Sequence, residues 1–291
     1  MTNLPGGRGV TGLPVRRLTA ADLPACSVLA VDRDWEPTPD RWRLLYELGE
    51  IYGVDDPDGS GLAGAVALTR YGPGLASIGK MLVAKRHGRQ GLGGRLMRHA
   101  MEQAGDTVIC LLATPYGRPL YERLGFRAID RSVRYIGPLA AGEPAPAEPG
   151  QPAPRAVSAA DLPGIAELDR RSFGADRGAL LTALPRLADR FVVSDGPSVQ
   201  GFAAAWRSAD TLTIGPVVAN EPALATTLIA SLAAGSDRPV RLEVPGRHPF
   251  LAGWAAARGL TVRAEATFMV RGGDLPGARE HVYLPANMAL C

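Results

Sequence analysis

The stretch with the strongest claim to chemistry is Met81-Leu82-Val83-Ala84-Lys85-Arg86-His87-Gly88-Arg89-Gln90-Gly91-Leu92-Gly93-Gly94-Arg95-Leu96-Met97. It opens as an apolar strand, passes through a basic, Gly-rich turn and enters a helix with Leu92, Leu96 and Ala100 on one face. Glycines let successive backbone N–H groups turn inward, and a helix N-terminus adds unpaired donors and the positive end of a dipole. The segment therefore reads as an anion site, with Lys85, Arg86 and Arg89 adding long-range attraction for a phosphorylated ligand. Of the two lysines of the chain, Lys85 lies in this segment and Lys80 immediately before it. It is not a Walker A loop, because no Gly-Lys-Ser/Thr follows, and the glycine spacing lacks the G-x-G-x-x-G of a dinucleotide fold. A Gly-rich turn also forms for packing reasons alone, so the loop by itself does not name a ligand.

These residues need a strand and a helix to position them, and the surrounding pattern supplies both. Strands are expected near 14–18, 50–55, 62–70, 75–84, 107–113 and 126–136. Helices are expected near 20–31, 39–49, 92–104 and 116–124. Turns at Asp58-Gly59 and Gly72-Pro73-Gly74 separate strands as hairpins do. This order predicts an α/β (α+β) domain around one largely antiparallel sheet.

About thirty residues after the loop comes Tyr116-Gly117-Arg118-Pro119-Leu120-Tyr121-Glu122-Arg123-Leu124-Gly125-Phe126-Arg127, a short helix closed by Gly125 before a new strand. The strand, Gly loop and helix, followed by Leu-Tyr-x-x-Leu-Gly-Phe, resemble the GNAT acetyltransferase superfamily over roughly residues 14–137. The family loop is usually Arg/Gln-x-x-Gly-x-Gly/Ala. Gly91 and Gly93 match it, while Gly88 stands at its first position with Arg89 one place later.

The resemblance implies an acetyl-CoA-dependent N-acetyltransferase acting on an amine of a small molecule. The pantetheine arm would run along Met81, Leu82 and Val83, pairing as an added strand does. The pyrophosphate would sit on the loop formed by Gly88, Arg89, Gln90, Gly91, Leu92, Gly93 and Gly94. A backbone N–H near Leu82 or Val83 would face the oxyanion. Tyr121 matches the family's general acid, which protonates the departing thiolate. Asp34 and Trp35 are candidates for the acceptor pocket, with Trp42 and Tyr46 nearby. Asp32, Asp34, Glu36 and Glu50 are open alternatives for a general base. A non-catalytic acyl-CoA-binding regulatory protein is the competing reading.

The two halves of the chain echo each other. Thr19-Ala20-Ala21-Asp22-Leu23-Pro24 returns as Ser158-Ala159-Ala160-Asp161-Leu162-Pro163, each with a hydroxyl residue placed to cap a helix. Ile78-Gly79-Lys80 returns as Ile214-Gly215-Pro216, and Arg123-Leu124-Gly125-Phe126 as Ala257-Arg258-Gly259-Leu260. The offsets are nearly constant, so an internal duplication is expected. The second copy has Asn220-Glu221-Pro222-Ala223-Leu224 in place of the Gly loop and Ala255 in place of Tyr121. It resembles a degenerate GNAT-like domain in a tandem arrangement. The expected division is a catalytic domain at 1–138, a Pro/Ala-rich linker at 139–154, and the degenerate domain at 155–291. A fragment 1–140 would keep some CoA binding.

Composition agrees with a globular protein: 46% hydrophobic and 21% charged residues, with a net charge of +3. No basic tail points to a nucleic acid, and no apolar run has the length of a membrane span. With no leader-like segment near Met1, a cytoplasmic protein is expected. Cys26, Cys110 and Cys291 do not form a disulfide framework, and Cys291 could be a reactive thiol. The histidines show no metal-ligand spacing, so no metal is expected. The sequence leaves the oligomeric state open.

Overall fold

The computed structural model describes residues 10–37, 39–139, 153–196, 198–208 and 210–291. Most of the expected linker, residues 140–152, lies outside them. The first half runs β1 (Arg16–Arg17), α1 (Leu23–Asp32), α2 (Pro39–Leu48), β2 (Gly49–Asp55), β3 (Leu62–Tyr71), β4 (Leu75–Val83), α3 (Leu92–Ala104), β5 (Val108–Ala113), α4 (Arg118–Arg123) and β6 (Arg127–Gly137). The second half runs β7 (Arg155–Ala156), α5 (Leu162–Phe173), α6 (Gly178–Leu187), β8 (Arg190–Asp195), β9 (Val199–Arg207), β10 (Leu212–Ala219), α7 (Pro222–Ala233), β11 (Val240–Pro245), α8 (Pro249–Ala257), β12 (Thr261–Arg271) and β13 (Val282–Leu284). Each half is a mixed, largely antiparallel sheet with flanking helices.

The duplication is physical as well as textual. Thr19 and Ser158 each form a capping box with the aspartate three residues on, Asp22 and Asp161. Arg16 clamps Asp22 and Arg155 clamps Asp161, both at 2.7 Å. After α4, Phe126 N–H donates to the Tyr121 carbonyl at 3.0 Å, and after α8, Leu260 N–H donates to the Ala255 carbonyl at 3.1 Å. Ala255 is therefore the geometric counterpart of Tyr121.

Two strands cross between the halves. The sheet order is β1-β2-β3-β4-β5-β12-β6-β11-β10-β9-β8-β7, with β13 pairing β10. Strand β12 of the second half thus inserts between β5 and β6, and β6 is bonded on its other edge to β11. A fragment ending at residue 140 would lose the strands on both edges of β6.

Alternation along β3 divides the core. Ala65 and Ala67 face α1 and α2, while Val66 and Leu68 face α3 with Leu92, Leu96, Met97 and Ala100. The first of these clusters continues into the second half through Ile165, Leu168, Phe202 and Val218.

Candidate active site

The site begins with a bulge. Strand β4 pairs with β3 at Gly79↔Ala67 and again at Leu82↔Ala65, so Lys80 and Met81 together oppose Val66. Lys80 takes φ 50° to do so. The parallel pairing of β4 with β5 stops at Ser77↔Cys110, although both strands continue. Strands β4 and β5 separate from there, and a cavity of about 1060 Å³ lies along the gap. That volume is at the top of the range for small-molecule sites.

Met81, Leu82, Val83, Gly88, Arg89, Gly91, Leu92, Gly93 and Gly94 all line this cavity. Gln90 does not: it is exposed and turns its amide back to the Arg86 carbonyl at 3.3 Å. Gly91 is the N-cap of α3 with φ 85°, a left-handed conformation in which a Cβ is strained.

The loop's cations divide differently from the expectation. Asp56, with its carboxyl 1% exposed, accepts from Arg86 Nη2 at 2.5 Å and meets His87 Nε2 at 2.7 Å. Lys85 Nζ pairs with Asp34 at 2.8 Å, and its N–H donates to Asp32 at 2.7 Å. Arg86 and Lys85 are therefore fasteners of the turn, and Arg89 is the member of the trio that lines the cavity.

Tyr121 is 8% exposed, lines the cavity and packs edge-on to Phe126 at 6.2 Å. Burial pushes its phenol up to about 12. Pro119 at the start of α4 fixes the helix entry that aims Tyr121. Asp34 and Trp35 also border the cavity. Trp42 is core, and exposed Tyr46 is not on the cavity wall. Glu50 is also off the wall, held by Arg70 at 2.5 Å and by the Tyr52 hydroxyl at 3.0 Å. Asp32 is bonded to the Lys85 amide and is off the wall, whereas Asp34 and Glu36 are the base candidates that line the cavity. Cys291 is 5% exposed beside Cys110 in an apolar cluster, and burial raises its thiol well above the ordinary range, which removes it as a reactive thiol. Among the described residues no group of side chains could hold a metal ion, and no helix is long and apolar enough to cross a membrane.

The far wall belongs to residues not foreseen from the sequence. Arg41, Lys80 and Arg134 from the first half meet Arg241, Glu243, Asn287 and Met288 from the second. The terminal segment is held there by Tyr71 Oη on the Leu290 carbonyl at 2.8 Å and Ser77 Oγ on the Ala289 carbonyl at 3.2 Å. A Cβ on Gly79 would stand 2.6 Å from that of Ala289, so glycine permits the approach. No local signal marks Arg134, Arg241, Glu243, Asn287 and Met288, because each is brought to the cavity by the pairing of β6 with β11 or by the returning tail.

Two family models match the chain, each an acetyltransferase (GNAT) domain, at residues 48–128 and 165–284. Together they span more than half of it. The chain belongs to the GNAT acetyltransferases. It is a tandem GNAT protein, and the two matched regions fall one in each half. It is 27% identical over 259 residues to the uncharacterized N-acetyltransferase YitH of Bacillus subtilis, covering 85% of this chain and 87% of that protein. Its fold is similar to a candidate acetyltransferase from Pyrococcus horikoshii, with a TM-score of 0.78 and 21% identity over 100% of this chain and 99% of that one. It is also similar to a tandem GNAT protein from the clavulanic acid biosynthesis pathway, with a TM-score of 0.62 and 17% identity over 90% of this chain and 99% of that one.

The second GNAT half repeats the bulge but not the opening. Strand β10 pairs with β9 at Ile214↔Ala205 and Val217↔Ala203, and its parallel pairing with β11 stops at Thr213↔Arg241. Here β13 takes the vacated edge, at Val217↔Leu284 and Val218↔Val282. Helix α7 then starts at Pro222 behind Glu221, without a Gly loop.

Proposed function

We propose that the first half, residues 1–138, binds acetyl-CoA and transfers the acetyl group to the amine of a small molecule, and that 155–291 is a degenerate GNAT domain that completes the acceptor wall. The observation that carries this is the open gap between β4 and β5, with the Gly91–Gly94 turn at one end and Tyr121 on its side. The edge of β4 beyond Ser77 is suited to an extended pantetheine arm, which would pair with it as an added strand. The turn after Gly88 supplies backbone donors and a helix N-terminus to a pyrophosphate.

The chemistry then follows from what the wall offers. A neutral amine attacks the thioester carbon, forming the C–N bond. A β4 amide near Leu82 or Val83 donates to the oxygen as charge gathers on it. The C–S bond breaks, and Tyr121 donates a hydrogen bond and then a proton toward the leaving sulfur. A thiol ordinarily titrates near 8.5, below the raised phenol, so donation to the developing thiolate contributes more than complete early transfer. Glu36 accepts the amine's proton.

A thiol-release assay with acetyl-CoA across a panel of amines tests the reading; no release with any amine would sink it. Gly93→Val probes the cradle. A Cβ at Gly93 meets Leu120 at 3.5 Å, an ordinary contact, so the variant should fold while its side chain obstructs the ligand. We expect CoA affinity to fall more than about tenfold, or about 1.4 kcal/mol, by titration calorimetry. Unchanged affinity in the folded variant would remove the cradle assignment. One CoA per chain is the expected stoichiometry, because β13 occupies the corresponding edge of β10. Two per chain would show that the second half also binds.

A further inference from the structure

The acceptor end of the cavity is built for an anion. Arg41, Lys80, Arg134 and Arg241 line it, against the carboxylates of Glu36 and Glu243. Glu243 is already shared: Arg134 Nε donates to it at 2.7 Å and Arg241 Nη2 at 2.6 Å. Glu36 lies 3.8 Å from Arg241. Glu265 also borders the cavity but is exposed, and it pairs with Val133, out of phase with Ser132 and Arg134. Asp34, also on the wall, pairs with Lys85, so among the described residues the cations of this end outnumber the carboxylates that face them.

Arg41 is held by hydroxyls, where Arg134 and Arg241 are held by a carboxylate. Its Nη2 donates to two hydroxyls of the second half, Ser208 Oγ at 2.5 Å and Thr213 Oγ1 at 3.3 Å. Hydroxyls orient a guanidinium without cancelling its charge. Burial, with Arg241 close by, disfavours its charged form, and the same two causes, burial first and then Arg41 and Arg241, bring Lys80 down to about 8. Lys80 Nζ sits 5.4 Å from the Trp35 ring centroid and 5.3 Å from that of Trp42. Ser132 adds an independent sign. It is 4% exposed, lies on the cavity wall, and its hydroxyl has no hydrogen-bond partner among the described residues. A buried hydroxyl without a partner costs stability, and a bound ligand would satisfy it.

We propose that the acceptor carries an anionic group, a carboxylate or phosphate, beside its amine, and that Arg41, with Lys80 and Arg241, holds that group while Ser132 donates to it. A planar guanidinium suits either oxyanion through paired N–H donors. The inference rests on the acetyl-transfer reading for the identity of the site. It adds that the acceptor is a small acidic amine, not a cationic or neutral one.

The test is calorimetric titration of the CoA-saturated protein with matched probes. These are glycine against glycinamide, β-alanine against β-alaninamide, L-glutamate against L-glutamine, and aminomethylphosphonate against methylamine. We expect the acidic member to bind at least about tenfold tighter in one or more pairs. The phosphonate pair separates a phosphate site from a carboxylate site. Arg41→Gln should abolish that preference and Arg41→Lys should restore part of it, with CoA titrated separately to confirm folding. Equal or tighter binding of the neutral member in every pair, binding by no probe, or a preference that survives Arg41→Gln overturns the inference. Thiol release on the same pairs separates the two readings. Release from neutral amines alone overturns the acidic acceptor and leaves acetyl transfer standing. Tight binding of acids with no release from any pair does the reverse.

Discussion

Tyr121→Phe is expected to lower turnover by about 10²–10⁴-fold, the usual contribution of a positioned proton donor, while the variant still binds acetyl-CoA. The substitution removes one hydroxyl and leaves the ring, which is 8% exposed and set edge-on against Phe126. Packing should therefore persist, and the loss should appear in the chemical step. In energy the loss is about 2.7–5.5 kcal/mol of transition-state stabilisation. The pH dependence has a definite sign. Burial raises the phenol to about 12, so its donating form is present throughout the neutral range and is lost only as pH rises through that value. Tyr121 should contribute no descending limb near neutrality. Steady-state kinetics of the two proteins across pH decide the matter. Full activity in Tyr121→Phe would reduce Tyr121 to a packing residue, and a limb near pH 8 that disappears with the hydroxyl would show instead that the phenol is not raised by its burial.

Local structure was legible in the sequence wherever consecutive residues carry it. The Gly loop could be read because its strand, turn and helix are consecutive, and the repeat because Asp22 and Asp161 each answer a hydroxyl three residues before them. The order of strands and helices in the first half follows from periodicity and turn residues for the same reason. The far wall of the cavity was hidden because it is assembled from distant segments. Arg41 meets Ser208 and Thr213 only after the halves pack, and Glu243 meets Arg134 only because β6 pairs with β11. Strand exchange leaves no local mark, since β6 and β12 have the same pattern whichever sheet receives them. Charge counting near the loop misled in the same way. Arg86 was expected to attract a phosphorylated ligand from a distance, and Asp56, thirty residues earlier, claims its guanidinium. The closure of the second site by β13 was also invisible, although the missing glycines and Ala255 pointed to the same outcome.

Asp169→Ala is expected to destabilise the fold by about 3–5 kcal/mol, the cost of leaving one member of a buried ion pair uncompensated. Asp169 on α5 and Arg177 ahead of α6 are 1% and 0% exposed in their side chains, and Arg177 Nε donates to Asp169 Oδ2 at 3.0 Å. Arg177 Nη1 already lacks a partner among the described residues, so Asp169 carries most of the compensation. Two guanidinium groups also lie near the Phe173 ring, Arg177 at 4.0 Å and Arg279 at 3.8 Å from its centroid. Phe173 in turn packs edge-on to Tyr71 at 5.1 Å, and the Tyr71 hydroxyl holds the Leu290 carbonyl. The pair thus supports the chain of contacts that seats Asn287, Met288 and Ala289 on the cavity wall. Denaturant midpoints should fall sharply in Asp169→Ala, and the surviving folded protein should bind acceptor more weakly than CoA binding alone would suggest. Replacing both partners, Asp169→Ala with Arg177→Met, should recover much of the stability because no buried charge is then stranded. A loss below about 1 kcal/mol in the single variant, or a double variant no more stable than the single, would show that the pair does not hold this corner of the molecule together.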